Sequence, residues 1–313
     1  MTPRKDLLDI ASLSREEIEF ILSTAEPFKD LFKKSVKKVP TLQGKSVLTL
    51  FYEPSTRTKS SFEVAAKRLS ADVTNFEVST SSVVKGESIL DTIDTLQAMK
   101  VDYIVVRHKM AGVPNMIAAH TGASVLNAGD GFHAHPTQAL LDASTLREIW
   151  PGDELAGKRV IIVGDLLHSR VARSTARILV KLGVEVSVLG PGTLVPDSRP
   201  SELRKFRSFD EAMNWRPDVF YLLRVQKERQ GAHFFPSDNE YHAVFGLTTD
   251  RFQRVREAGI YVMHPGPVNR GIELSDPVMT YGRSLINRQV ENGIATRMAV
   301  LYWLKPGISK AGA

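Results

Sequence analysis

The sequence predicts an α/β fold with two domains, each a parallel sheet flanked by helices, and two long interdomain helices that join them. Three observations support this fold class. Short apolar segments rich in β-branched residues alternate with segments whose apolar residues recur three and four positions apart. The alternation occurs twice along the 313 residues, a length that suffices for two domains. Such regular alternation is typical of parallel sheets that helices cover on both faces.

The first half begins with a charged amphipathic segment, 29–38, which predicts a helix with one solvated face. Short apolar segments then predict strands at 46–52, 72–78, 102–107 and 123–127. Segments with helical spacing separate these strands, at 57–70, 87–99 and 112–121. This order predicts one parallel sheet for the first half.

The second half repeats the pattern after a predicted helix, 136–150, which Pro151 and Gly152 end. Strands are predicted at 159–164, 184–189, 218–223 and 260–263, and helices at 170–182, 201–214 and 249–258. A final amphipathic segment, 286–304, predicts the second long helix. Because both long helices lie outside the two strand–helix series, we expect them to join the domains. The predicted domains are 1–135 with 288–313, and 136–287.

Composition limits the class of protein. The chain has no cysteine, which excludes disulfides, thiolate metal sites and a cysteine nucleophile. No apolar run approaches the roughly 20 residues that a membrane span needs, and the N-terminus lacks a signal-peptide core. We therefore expect a cytoplasmic protein without a membrane partner. The net charge of +6 leaves nucleic-acid binding as an alternative, but no aromatic–basic motif supports it.

A cluster of hydroxyl and guanidinium groups follows the first predicted strand and begins the next helix. It consists of Ser55, Thr56, Arg57 and Thr58. N–H groups in the first turn of a helix have no partner within it, and the helix dipole is positive there. The hydroxyls add donors, and the guanidinium matches a phosphate dianion. This pattern predicts an anion site, with simple helix capping as the alternative.

Further polar residues follow other strands, where ligands of open α/β sheets bind. Arg107 ends one strand, and His135 immediately precedes the helix predicted at 136–150. The spacing of His133 and His135 allows a metal site, but no cysteine or obvious carboxylate accompanies them. We therefore predict no metal, and expect His135 to donate to a carbonyl oxygen.

The second half carries isolated arginines after its strands. Arg170 lies at a predicted helix start, against the dipole, which marks it as a functional candidate. Arg224 and Gln226, two positions apart, would point the same way along an extended strand. Two arginines from separate loops suit a dicarboxylate ligand. The strand predicted at 159–164 and the turn that leads to Arg170 lack the Gly-x-Gly-x-x-Gly pattern, so a dinucleotide cofactor is not expected.

Together these segments resemble the aspartate carbamoyltransferase family over nearly the whole chain. The motifs that carry the resemblance occur in this order: 51–58 (FYEPSTRT), 85–87 (KGE), 107–108 (RH), 127–131 (NAGDG), 135–138 (HPTQ), 168–170 (HSR), 224–229 (RVQKER) and 264–267 (HPGP). The implied reaction transfers the carbamoyl group of carbamoyl phosphate to the α-amino group of L-aspartate, in pyrimidine biosynthesis. The products are N-carbamoyl-L-aspartate and phosphate, and no cofactor is implied.

The resemblance also assigns roles within the first predicted domain. It implies that the cluster at 55–58 holds the phosphate, with Arg107 bridging phosphate and carbonyl. Thr58, Arg107 and His135 would polarise the carbonyl oxygen, and Gln138 would hold the carbamoyl amino group.

For aspartate, the resemblance implies that Arg170 takes the α-carboxylate, while Arg224 and Gln226 take the β-carboxylate side. Pro265 and Gly266 would also bind substrate. Gly266 departs from the family pattern, which often has leucine at this position. Glycine retains a backbone carbonyl contact but loosens the loop.

Ser81 and Lys85 look like loop residues that such enzymes insert into the active site of a neighbouring subunit, Lys85 as a catalytic residue. Without the resemblance this loop would be an ordinary polar surface loop. The resemblance therefore implies a homotrimer with shared active sites, or a dimer of trimers, with a dihydroorotase or a regulatory chain as a further partner.

Two alternatives to this function remain. The first is ornithine carbamoyltransferase, which shares the phosphate half but typically carries a cysteine and lacks the lysine loop. The second is a non-catalytic ligand-binding or scaffold member of the same family. Every position expected to contact carbamoyl phosphate is present here, which argues against an inactive site.

Overall fold

The computed structural model describes residues 4–35, 37–77, 88–195, 203–226 and 237–307. Its contacts divide the chain into two compact units, one of Met1–Ser144 with Glu291–Ala313 and the other of Thr145–Val290. The domain boundaries predicted above, at 135/136 and 287/288, stay a prediction. Within the described residues no helix is long and apolar enough to span a membrane.

The first unit contains a four-stranded sheet and its helices. The strands are β1 (Ser46–Phe51), β2 (Asp72–Glu77), β3 (Tyr103–His108) and β4 (Ser124–Asp130). The helices are α1 (Arg15–Leu31), α2 (Thr56–Arg68), α3 (Ile89–Ala98) and α4 (Val113–His120). All strand pairs are parallel, in the order β2-β1-β3-β4, with α3 and α4 packed on an apolar core that includes Ile104 and Val106.

The second unit contains a five-stranded sheet. Its strands are β5 (Arg159–Val163), β6 (Glu185–Leu189), β7 (Arg204–Phe206), β8 (Val219–Leu222) and β9 (Tyr261–Met263). Its helices are α6 (Arg170–Lys181), α7 (Phe209–Asn214), α8 (Asp238–Val244) and α9 (Thr249–Glu257). The strands are again parallel, in the order β7-β6-β5-β8-β9, which confirms the predicted fold class.

Two long helices, α5 (Pro136–Arg147) and α10 (Ile286–Trp303), complete the fold. The chain passes from one unit to the other inside each of them. This position confirms that the two predicted connectors join the domains.

Two predicted helices were wrong in extent, and two helices were not predicted. The helix predicted at 201–214 begins only at Phe209, because Arg204–Phe206 pairs with β6 as an edge strand. Of the helix predicted at 29–38, only 29–31 is helical, as the end of α1, and the described residues 32–35 and 37–38 form no helix. Most of α1 was not predicted, although Ser14 and Glu17 form its capping box. The sequence analysis also missed α8, which Ser237 caps.

Candidate active site

The predicted anion site lies at the switch point of the first sheet. β1 lies between β2 and β3, so the chain leaves β1 and β3 in opposite directions at the carboxyl edge. There Phe51 pairs with Arg107 in register. Ser55 is the N-cap of α2, and within the described chain its side chain makes no capping hydrogen bond. The first turn of α2 carries no acidic residue, so its donors suit an anion.

Arg107 is held in place at this edge by two groups. Its Nη2 donates to Glu53 Oε1 at 2.6 Å, and its Nη1 donates to Ala128 O at 3.2 Å. The ion pair with Glu53 is largely buried, with 12% and 20% of the two side chains exposed. A guanidinium fixed by a carboxylate and a carbonyl is preorganised for an anion at the helix start.

His108 follows Arg107 and is buried. Burial lowers the pKa of His108, so the ring is neutral near neutral pH. Its Nδ1 accepts a hydrogen bond from Met110 N at 2.9 Å. The ring therefore orders the turn after β3 without adding charge to the site.

A tight turn after β4 positions His135. The turn is built on the fully buried Asp130, whose Oδ1 accepts from Asn127 Nδ2 at 2.8 Å and Ala134 N at 3.1 Å. Its Oδ2 lies 3.0 Å from His133 Nδ1. This contact gives His133 a structural partner. His135 follows, buried, immediately before α5.

Gln138 is the next predicted residue, in the first turn of α5. Its Nε2 donates to Asp142 Oδ1 at 2.9 Å, one turn along the same helix. The sequence analysis did not single out Asp142. A carboxylate at i+4 from a predicted amide was the signal that pointed to it.

The second unit places Arg170 at the first position of α6. The N-cap residue Ser169 accepts from Ala172 N at 3.1 Å. Asp165, at the end of β5, holds the preceding turn through His168 N at 2.9 Å. Arg170 itself is buried, with 2% of its surface exposed. Its planar guanidinium matches the geometry of a carboxylate, so Arg170 stays a candidate for binding a carboxylate group.

Arg224 and Gln226 follow β8, which is the neighbour of β5 in the second sheet. The residue between them, Val225, donates its N–H to Glu273 Oε1 at 2.8 Å. Asn269 donates to the same buried carboxylate, from N at 2.6 Å and from Nδ2 at 2.8 Å. Glu273 thus connects the loop after β8 with the loop after β9. It was another residue that the sequence analysis missed.

Pro265 and Gly266 lie in the loop after β9. Gly266 N donates to His264 Nδ1 at 2.8 Å, and His264 N donates to Gln289 Oε1 at 3.0 Å. Gly266 has a φ of 62°, a conformation that favours glycine. The leucine common in the resembling family would be strained in this backbone conformation.

Two predicted site residues, Ser81 and Lys85, lie outside the described residues. In the ranges that are described, no group of three or more His, Asp or Glu residues is arranged to hold a metal ion. The expectation that the reaction needs no metal or cofactor stays a prediction.

Comparison with family models gives a match over most of the chain. Residues 5–148 match the aspartate/ornithine carbamoyltransferase carbamoyl-P binding domain. Residues 156–304 match the Asp/Orn binding domain of the same family.

Individual proteins of the same family are similar to this chain over nearly its full length. The chain is 66% identical to the aspartate carbamoyltransferase catalytic subunit of Akkermansia muciniphila, over 97% of this chain and 98% of that protein. It is 52% identical to the subunit of the same name from Endomicrobium trichonymphae, over 96% of each. Aspartate transcarbamoylase from Trypanosoma cruzi, in complex with N-(phosphonacetyl)-L-aspartic acid, has a TM-score of 0.87 at 30% identity, over 96% of each chain.

Proposed function

The chain belongs to the aspartate/ornithine carbamoyltransferase family, and we propose that it transfers the carbamoyl group from carbamoyl phosphate to the α-amino group of L-aspartate. The products are N-carbamoyl-L-aspartate and phosphate. The observation that carries this proposal is 66% identity over nearly full length to a catalytic subunit with that name. This reaction belongs to pyrimidine biosynthesis.

Carbamoyl phosphate is assigned to the first unit. Ser55, Thr56, Arg57 and Thr58 bind its phosphate at the start of α2, where the first-turn N–H groups have no acceptor within the helix and the helix dipole is positive. Arg107, held between Glu53 and Ala128, spans phosphate and carbonyl.

Aspartate is assigned to the second unit. Arg170 binds the α-carboxylate, and Arg224 with Gln226 binds the β-carboxylate. Each arginine offers a planar fork that matches a carboxylate. Pro265 and Gly266 contribute further substrate contacts from the loop after β9.

The chemistry follows from these groups. The unprotonated amino group of aspartate attacks the carbamoyl carbon, and a tetrahedral intermediate forms. Negative charge develops on the carbonyl oxygen, where Thr58, Arg107 and His135 donate. Removing one such donor typically costs about 3 kcal/mol in the transition state. Collapse of the intermediate breaks the bond between the carbamoyl carbon and the phosphate oxygen, the proton of the attacking amine passes to the departing phosphate, and phosphate is released.

Ornithine carbamoyltransferase remains the alternative function, and it differs in the molecule that accepts the carbamoyl group. Two buried or half-buried arginines favour a dicarboxylate and repel the cationic side chain of ornithine. The chain also lacks the cysteine expected of that alternative.

The reaction is tested by incubating the purified chain with carbamoyl phosphate and aspartate. We expect equal amounts of phosphate and N-carbamoyl-L-aspartate, identified by mass spectrometry. Release of phosphate without a carbamoylated product, or no turnover, contradicts the proposal and favours a non-catalytic family member.

We further propose a homotrimer, or a dimer of trimers, in which Ser81 and Lys85 act in the site of a neighbouring subunit. Mixing inactive Lys85→Ala chains with inactive Arg107→Ala chains, after dissociation and reassembly, then restores activity. Random mixing predicts recovery of about a quarter of the wild-type value. No recovery in a mixture shown by sedimentation to be trimeric contradicts shared sites. A dihydroorotase or regulatory partner and the cytoplasmic location stay predictions.

A further inference from the structure

Two buried residues of opposite charge have no assigned role in the predicted carbamoyl site, although one of them contacts the predicted site residue Gln138. Asp142, on α5, is fully buried, and Arg297, on α10, is 4% exposed. Charged residues are almost never buried to this degree unless they are paired. Both residues belong to the first unit, which carries the predicted phosphate site.

Asp142 contacts the side chain of Gln138. The distance from Gln138 Nε2 to Asp142 Oδ1 is 2.9 Å. An ionised carboxylate has only acceptors, so Gln138 must present its NH₂ group to it. Within the described part of the chain, the amide oxygen of Gln138 makes no hydrogen bond. The oxygen is therefore available to a ligand.

Arg297 interacts electrostatically with Asp142 and is hydrogen-bonded to α2 and to its own helix, α10. Its Nη1 donates to Ser61 Oγ, on α2, at 2.9 Å and to Gly293 O at 2.8 Å. Its guanidinium also lies 5.0 Å from the ring centroid of Phe62. Burial lowers the pKa of Arg297 to about 10, and the charge of Asp142 acts to raise it. Arg297 is thus cationic at neutral pH, opposite in sign to the carboxylate of Asp142 with which it interacts.

A glycine inside α10 makes room for this guanidinium. A Cβ atom at Gly293 would lie 2.6 Å from Arg297 Nη1. Glycine inside a helix costs about 1 kcal/mol relative to alanine, so an interior glycine usually has a packing reason. Here glycine leaves the space that the guanidinium of Arg297 occupies.

We propose that Asp142 and Arg297 are positioning residues that fix the orientation of the Gln138 amide, so that its oxygen faces the amino group of carbamoyl phosphate. This inference rests on the proposed function. The carbamoyl amino group is a hydrogen-bond donor, so only the oxygen of the amide complements it. A reversed amide would place NH₂ against NH₂.

The consequence is selectivity for a donor group at this position of the ligand. Acetyl phosphate has a methyl group where carbamoyl phosphate has NH₂, and is otherwise similar in shape and charge. The wild-type protein should therefore bind carbamoyl phosphate more tightly than acetyl phosphate. Inorganic phosphate, which lacks the acyl group, reports on the anion site alone.

The test is the ratio of the two dissociation constants in Asp142→Asn. Asparagine has nearly the same shape but both donates and accepts, so the Gln138 amide can reverse. We expect the preference for carbamoyl phosphate to fall about tenfold, the scale of one buried hydrogen bond, with phosphate binding unchanged. The matched control is Asp102→Asn. Asp102 immediately precedes β3, at the opposite end of that strand from Arg107, and this variant should keep the wild-type ratio.

A double-variant cycle separates positioning from general damage. Gln138→Ala removes the oxygen, and we expect the same loss of preference as in Asp142→Asn. If Asp142 acts through Gln138, the combined variant loses no more than either single variant. Additive losses, or a wild-type ratio in Asp142→Asn, overturn the proposal.

If Asp142→Asn does not fold, Arg297 provides the second route. Arg297→Lys keeps the positive charge and should keep the preference, whereas Arg297→Met should lose it. The same ratio in both variants overturns the proposal. A wild-type protein that binds no carbamoyl phosphate contradicts the proposed function itself, which is a different outcome from an unchanged ratio.

Discussion

Buried or half-buried arginines have the main substrate-binding roles that are proposed for single residues. Arg107 and Arg170 occupy positions where a lysine would keep the charge but lose the planar fork. Glu53 and Ala128 hold the guanidinium of Arg107, and the Ser169 cap fixes the helix start at which Arg170 lies. Preorganised donors stabilise developing charge without rearranging during the reaction.

Arg107→Lys tests this point. We expect kcat/KM for carbamoyl phosphate to fall roughly 100-fold, because lysine cannot span two oxygens in the plane of the guanidinium. Steady-state kinetics with varied carbamoyl phosphate gives the value. The matched control is Arg159→Lys, at the start of β5, which should retain full activity. Wild-type kinetics in Arg107→Lys would contradict the role.

Asp102 provides a pH-dependent contribution to stability away from the site. Burial acts to raise its pKa, but hydrogen bonds from Lys45 Nζ at 2.8 Å and Ser46 N at 2.9 Å outweigh it and lower the pKa. A carboxyl with a lowered folded pKa stabilises the fold above its unfolded pKa of about 4. That contribution disappears as the pH falls through the lower folded value.

Asp102→Asn should therefore lower the thermal midpoint at neutral pH by about 2–4 °C, for a loss near 1 kcal/mol. The difference from wild type should shrink as the pH falls below about 4 and through the lower folded pKa, below which the carboxyl is protonated in both states. Calorimetry across that range measures it. A difference that stays constant with pH would exclude an ionised Asp102 as the cause.

At the scale of elements, both sheets place their polar residues at the switch point between strands. β1 and β3 do so in the first unit, and β5 and β8 in the second. In the second unit one carboxylate, Glu273, accepts from Val225 N and from two donors of Asn269. The positions of the loops after β8 and β9 are therefore not independent.

Glu273→Gln should raise KM for aspartate about tenfold, because the new NH₂ group would face N–H donors that the carboxylate now satisfies. Binding of inorganic phosphate, assigned to the other unit, should not change. Calorimetric titration with phosphate and kinetics with varied aspartate measure the two effects. Equal losses in both would indicate general unfolding, and no loss in either would show that the loops hold their positions without Glu273.

The strands and the polar residues that follow them were largely predictable from the sequence. Strands are recognisable as apolar runs rich in β-branched residues, and polar residues follow their carboxyl ends. Arg107, Arg170 and Arg224 were singled out for this reason. β7 was not predictable, since three residues with two charges carry no strand pattern and pair only through the neighbouring β6. Glu273 and Arg297 were not predicted because their partners Val225 and Ser61 are distant in sequence. Asp142 lies only four residues from Gln138, but in the sequence it looks like an ordinary charge on a helix.

At the scale of the molecule, two units of similar design carry different ligands. The first has a helix start with hydroxyls and no acidic residue, and the second has arginines at strand ends. The sequence resemblance to aspartate carbamoyltransferases is confirmed by family models that cover both units. The assignment of individual residues to the two substrates stays a proposal.

The acceptor of the carbamoyl group is proposed to be aspartate. The most direct test offers the protein carbamoyl phosphate with equal concentrations of aspartate and ornithine, and quantifies both carbamoylated products by mass spectrometry. Because the acceptor site is built from charge-matched donors, we expect N-carbamoyl-L-aspartate to exceed the ornithine product roughly a thousandfold. Carbamoylation of ornithine at a comparable or greater rate would contradict the account.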